Sequence, residues 1–147
     1  MVARIVAWVL GAIFVSTDTL PGLDELDTAP RVAKMLREAP GSFTFVVYVS
    51  TLLFMVSPLI TIGLPVPAFV LGRRQLDTHA YRLARHRIYL VRQSMLMLKT
   101  VGGLIWGGHP DVRAALDVPA YEADPGTFRQ GGEDAADLAA AGRPEIR

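Results

Sequence analysis

The run "FTFVVYVSTLLFMVSPLITI", residues 43–62, holds twenty residues without a charge. At the helical rise of 1.5 Å per residue such a run reaches about 30 Å, the depth of a bilayer's hydrocarbon core. It continues as "GLPVPAFVLG" to residue 72, and charge returns only at Arg73-Arg74. Pro58, Pro65 and Pro67 each lack a backbone donor, which predicts a kink near Ser57-Pro58 and an extended stretch after Gly63. The run reads as a membrane-spanning helix; the competing reading is a hydrophobic hairpin buried in protein or dipping into one leaflet.

A second apolar segment, residues 2–15, is shorter than a normal span and carries Arg4 near its start. A signal peptide, a short membrane helix and an apolar helix packed on a partner all fit it. It reads best as a membrane-inserted or interfacial helix. If both segments cross, the positive-inside rule puts the arginine-rich stretch from Arg73 in the cytoplasm with the N-terminus. The loop 17–42, with five acids against three bases, then lies outside.

The 147-residue length suits one hydrophobic core rather than two. An apolar fraction of 51% and 20% charged residues lie on the membrane or large-interface side of the soluble norm. The net charge of +1 offers no electrostatic case for nucleic acid. The charge is unevenly placed, however: residues 73–99 hold seven bases against the single acid Asp77, whereas residues 109–147 are acid-rich. With no cysteine, disulfides, thiolate metal sites and a Cys nucleophile are excluded.

Helical spacing organises the rest. Pro30 suits the first turn of a short helix ending near Ala39, with Val32, Met35 and Leu36 on one face. Ser42 is a candidate cap for the helix that follows. From Gln75 to about Trp106, Leu76, Ala80, Ala84, Ile88, Val91, Met95, Leu98, Gly102 and Ile105 step by threes and fours, predicting one long amphipathic helix. Gly107-Gly108 and Pro110 end it, and "HPDVRAALDV" restarts a short helix with Asp111 at the dipole's positive end. Residues 119–147 are turn-rich and acidic, an extended arm.

Chemistry is sparse. His79 and His86 stand seven apart, about 10 Å along a helix, too far to share a metal, and read as polar-face histidines. His109, before a proline, reads as a loop residue. "VGGLIWGG" ends a helix instead of opening one and has no lysine, so it is no phosphate cradle. Met95 and Met97 read as adaptable packing more readily than as haem ligands, for want of a His-Met pair or Cys-x-x-Cys-His. The basic stripe of Arg73, Arg74, Arg82, Arg85, Arg87 and Arg92 suits anionic headgroups, at about 1 kcal/mol per base, or an acidic partner. Tyr89, Met95, Trp106 and Phe128 are the candidate apolar anchors beside it.

"WVLGAIFVSTDTLPGLDELD", residues 8–27, is similar to the opening of small subunits of the gluconate 2-dehydrogenase subunit 3 type, where an apolar helix leads into "P-x-T-D-x-x-P-G-A/L"; Val15 stands at the usual proline. "RLARHRIYLVRQSMLMLKTVGGLIWGGHPDVRAALDV", residues 82–118, resembles the helical segment that precedes the flavin domain in long-chain alcohol oxidase-like members of the glucose, methanol and choline (GMC) oxidoreductases. The matching positions are His86-Arg87, Tyr89, Leu98-Lys99 and 110–117. Asp117 replaces the usual glycine, and Gly107-Gly108 stands where an aromatic pair is common. The resemblance implies an accessory helical module beside a catalytic flavoprotein, with FAD in the partner and no cofactor in this chain.

The expectation is therefore an all-α chain with one or two membrane-inserted helices, a long amphipathic helix and an extended C-terminal arm. Its segments are 1–42 (apolar helix, turn, short helix), 43–72 (membrane segment), 73–118 (basic amphipathic helix and short helix) and 119–147 (acidic tail). As a non-catalytic subunit it would hold a larger flavoprotein, oxidising an alcohol, sterol or sugar, at the bacterial inner membrane in a hetero-oligomer, with the basic helix on the cytoplasmic side. The alternative is a structural transmembrane subunit of another bioenergetic or photosynthetic complex.

Overall fold

A computed structural model describes residues 1–118, and these form an all-helical bundle. Its α-helices are α1 (Val2–Ile13), α2 (Ala29–Glu38), α3 (Gly41–Val56), α4 (Pro58–Ile62), α5 (Arg73–Ala84), α6 (Tyr89–Gly107) and α7 (Pro110–Ala115), with one 3-10 turn at Ala68–Val70. The arm expected at 119–147, with Phe128, lies outside the described residues.

The apolar N-terminal segment folds as α1, and it is a core helix. Val6, Val9 and Leu10 are fully buried, and α1 packs on α2, α3, α5 and α6. Its 12 residues reach about 18 Å, too short to cross a bilayer. The rest of the same chain covers one side of it, while Val2, Ile5 and Trp8 stay exposed.

Among the described residues, no helix is long and apolar enough to cross a membrane, which corrects the reading of 43–62 as one spanning helix. The physical reason is Pro58. Phe54's carbonyl would accept from the amide of residue 58 in a continuous helix, and proline has none. The helix stops at Val56, turns through Ser57 and resumes as α4, which ends at Gly63 in the left-handed region (φ 75°). Val47, Thr51 and Phe54 of α3 are buried, and α3 packs most extensively against α6.

The single helix expected from Gln75 to Trp106 is also corrected: residues 85–88 break it into α5 and α6, which fold against each other. No Gly or Pro marks the break. His86 forms it locally, its Nδ1 accepting the Ile88 amide at 3.2 Å just ahead of α6. Leu76 and Leu83 of α5 and Val91, Met95, Leu98 and Ile105 of α6 are all buried, so both halves of the stripe serve one core. Ile88, at the corner, leaves it and is half exposed.

Two close approaches fix the N-terminal half. A Cβ on Gly22 would stand 2.1 Å from the Ser16 amide nitrogen, so the loop after α1 closes only on glycine. Gly102 lets the Phe14 ring lie on α6, where an added Cβ would come within 2.3 Å of the ring. Trp106 donates its indole N–H to the Pro21 carbonyl at 2.8 Å, tying the same loop to the end of α6.

Candidate functional site

Helices α3 and α4 are apolar on both sides, and only one side is covered. Val47, Thr51, Phe54 and Thr61 face inward. On the opposite side, Phe45, Val49, Leu52 and Val56 of α3, at helical spacing, and Leu59 and Ile60 of α4 are exposed and form an apolar ridge along the two helices. Leu52 is 63% and Leu59 57% exposed, and Tyr48 flanks them. The 3-10 turn packs on α3 and adds exposed Phe69 and Val70. A contiguous apolar surface of this kind marks a site of interaction with protein or membrane.

The kink between the two helices is held from behind by His79. This α5 side chain is fully buried and sits edge-on to the Phe54 ring, 4.7 Å between centroids. Its Nε2 lies 3.0 Å from the Phe54 carbonyl, the group Pro58 leaves without a helical donor. A carbonyl only accepts, so Nε2 carries the hydrogen and Nδ1 accepts from the Thr61 hydroxyl at 2.5 Å. The same hydroxyl also lies 3.0 Å from the Ser57 carbonyl, which already receives the Thr61 and Ile60 amides at 3.0 and 3.1 Å, so its one hydrogen is shared between that carbonyl and His79. Burial pushes the His79 pKa below the ordinary imidazole value, with the Phe54 hydrogen bond opposing in part. The expected polar-face role of His79 is thus corrected: it bolts α3, α4 and α5 together. His109 likewise is buried and caps α7, Nδ1 accepting the Asp111 amide at 3.4 Å.

The arginines divide into two groups. Arg73 and Arg82 act within the fold at helix ends. Arg73 Nη1 donates to the Ala12 carbonyl at the end of α1 (3.2 Å), and Nη2 pairs with Asp77 at 2.7 Å. Arg82 donates to the Thr61 carbonyl at the end of α4 (2.8 Å). Arg74, Arg85, Arg87 and Arg92 are exposed. Arg85 stacks over Tyr81 at 5.2 Å and bonds its hydroxyl, and Arg92 stacks over exposed Tyr89 at 5.5 Å. These cation–π pairs hold two guanidinium groups flat against the α5–α6 corner. Of the expected anchors, Tyr89 is at this surface, Met95 is buried in the core at 1% exposure, and Trp106 is spent on Pro21.

Clefts also open among the described residues. One, of about 460 Å³, lies among α1, the following loop and α5, with Trp8, Asp24, Asp27 and Arg73 at its walls. Its charged groups are partly engaged already, Asp24 by the Ser16 amide and Arg73 by Ala12 and Asp77. Another, about 490 Å³, runs between α2 and the end of α6 beside Arg31, Lys34, Met35 and Leu104. Among the described residues, no three His, Asp or Glu side chains gather to hold a metal.

Sequence reasoning missed the ridge as a separate surface. The signal was there: a helix apolar all round has one more greasy face than a bundle position needs. No family model, curated protein or solved structure matches the chain.

Proposed function

We propose that this chain is a non-catalytic accessory subunit that seats a larger protein at a membrane. The observation that carries this reading is the uncovered ridge of α3–α4 together with an exposed arginine–tyrosine corner.

The partner class comes from the resemblance, a GMC-type flavoprotein that oxidises an alcohol, sterol or sugar and keeps the FAD. Two details favour it. Gly22, the glycine of the Pro-Gly turn in that pattern, has no room for a Cβ. Asp117, where the pattern carries glycine, has φ 52°, the left-handed region that glycine enters most easily. The membrane-inserted part of the reading rests on the ridge and on the uncharged run 43–72 that builds it.

The test is affinity purification of the full-length chain from detergent extracts of the cells that make it, followed by an absorption spectrum. A co-purified yellow flavoprotein several times larger than this chain is expected. Bound haem or pigment with many membrane subunits would assign the chain to another bioenergetic complex. Recovery of the chain alone, turning over a substrate unaided, would end the accessory reading.

A further inference from the structure

The end of the ridge in α4 packs on α5, the helix that leads into the arginine–tyrosine corner. Arg82, bonded to the last-turn carbonyl of Thr61, holds the C-terminal half of α5 against the end of α4, next to exposed Leu59 and Ile60. Tyr81 precedes it on α5 and Arg85 caps that helix, then come Ile88, Tyr89, Leu90 and Arg92 at the turn into α6, all exposed. A strip with no charge from residue 43 to residue 72 therefore borders a region where seven bases face one acid.

Resting on the accessory-subunit reading, we propose that this combined surface lies in one leaflet of an anionic bilayer, with the chain held monotopically. Leu52, Val56, Leu59 and Ile60 enter the acyl region, and Arg85 and Arg92 meet lipid phosphates at its edge. Charge complementarity selects this occupant. A second copy would bring the same ridge and the same basic corner, with Asp77 as the sole acid between residues 43 and 110 to answer them. The acids at 18–38 belong to α2 and its preceding loop, which pack on α1 instead. An anionic leaflet offers both chemistries side by side: hydrocarbon, and within a few ångströms a sheet of phosphates. Tyrosine and arginine at that boundary keep the apolar body in lipid and the polar end in the headgroups. The helices need not cross, because a monotopic attachment uses one face and leaves the other in the core.

The experiment is density-gradient flotation of the purified full-length chain with phosphatidylcholine vesicles, with and without phosphatidylglycerol. The chain is expected to float with the anionic vesicles, more weakly as salt rises. Arg85→Gln with Arg92→Gln is expected to lower partitioning by about fivefold per charge removed on anionic vesicles and to leave neutral ones unchanged. Leu52→Glu with Leu59→Glu, both at exposed positions, is expected to abolish flotation on either vesicle while the circular dichroism spectrum stays that of the parent. A parent chain that stays at the bottom of the anionic gradient overturns the proposal, as does a discrete dimer by light scattering that the leucine pair dissolves. If flotation fails while the leucine pair abolishes capture of the flavoprotein, the ridge is a protein interface: the bilayer proposal falls and the accessory reading stands. Flotation without any co-purified flavoprotein has the reverse meaning.

Discussion

Replacing His79 by leucine removes the donor that Phe54's carbonyl receives and leaves a buried acceptor at the α3–α4 kink. The expected loss is about 2 kcal/mol in chemical denaturation, the scale of an orphaned buried polar group. Pro58→Ala restores the helical amide to that carbonyl, so in its background the same histidine substitution is expected to cost well under half as much; full additivity would show that the two residues do not share the carbonyl. The histidine also sets a pH dependence. Its folded pKa lies below the ordinary 6.5, so as pH falls through 6.5 the unfolded chain takes up a proton that the folded chain refuses. Stability is full above that pH and declines below it, by at most about 1.4 kcal/mol per unit, until the folded pKa is reached. His79→Gln is expected to flatten the melting temperature across that window.

Elements meet at glycines here, and the two close approaches differ in kind. Gly22 faces the Asp24 carboxylate and, beside it, backbone: the Ser16 nitrogen and the Val15 carbonyl carbon, which move only if the loop opens. Gly102 faces the ring of Phe14, a side chain with rotamers to spare. Gly22→Ala is expected to destabilise by about 2 kcal/mol, the scale of an overpacked site. Gly102→Ala is expected to cost less, since alanine also favours the helix by about 1 kcal/mol, and Phe14→Leu should restore most of what is lost. Equal losses at both sites would mean that Phe14 is as fixed as the backbone. The α5–α6 corner shows the same dependence on neighbours. The apolar stripe from 76 to 105 keeps its period through the break, so periodicity cannot separate one long helix from two that fold together.

For the whole molecule, leucines of one type stand in two environments. Leu98 is fully buried in α6, whereas Leu52 is largely exposed on the ridge. Leu98→Ala is expected to lose about 3 kcal/mol, transfer plus cavity. Leu52→Glu is expected to stay within about 0.5 kcal/mol of the parent in detergent-free denaturation, because folding does not bury that side chain. A large loss at Leu52 would show that the chain's own residues cover the ridge.

Helical class, the short α2, the kink at Pro58, the end of α6 at its glycines and the basic character of the stretch after Arg73 follow from local patterns: period, proline chemistry and charge order act within a few residues. What those patterns could not assign was the side on which each apolar face finds its cover. Which face of α1 its own chain buries, which side of α3 and α4 turns inward, and whether His79 faces water or seals a carbonyl depend on contacts between residues far apart in the chain. The twenty-residue run carries enough apolar surface for a membrane span and for a core helix alike. The packing of α6 and α1 against α3, and the histidine from α5 behind Pro58, divide that surface into a buried half and an exposed one.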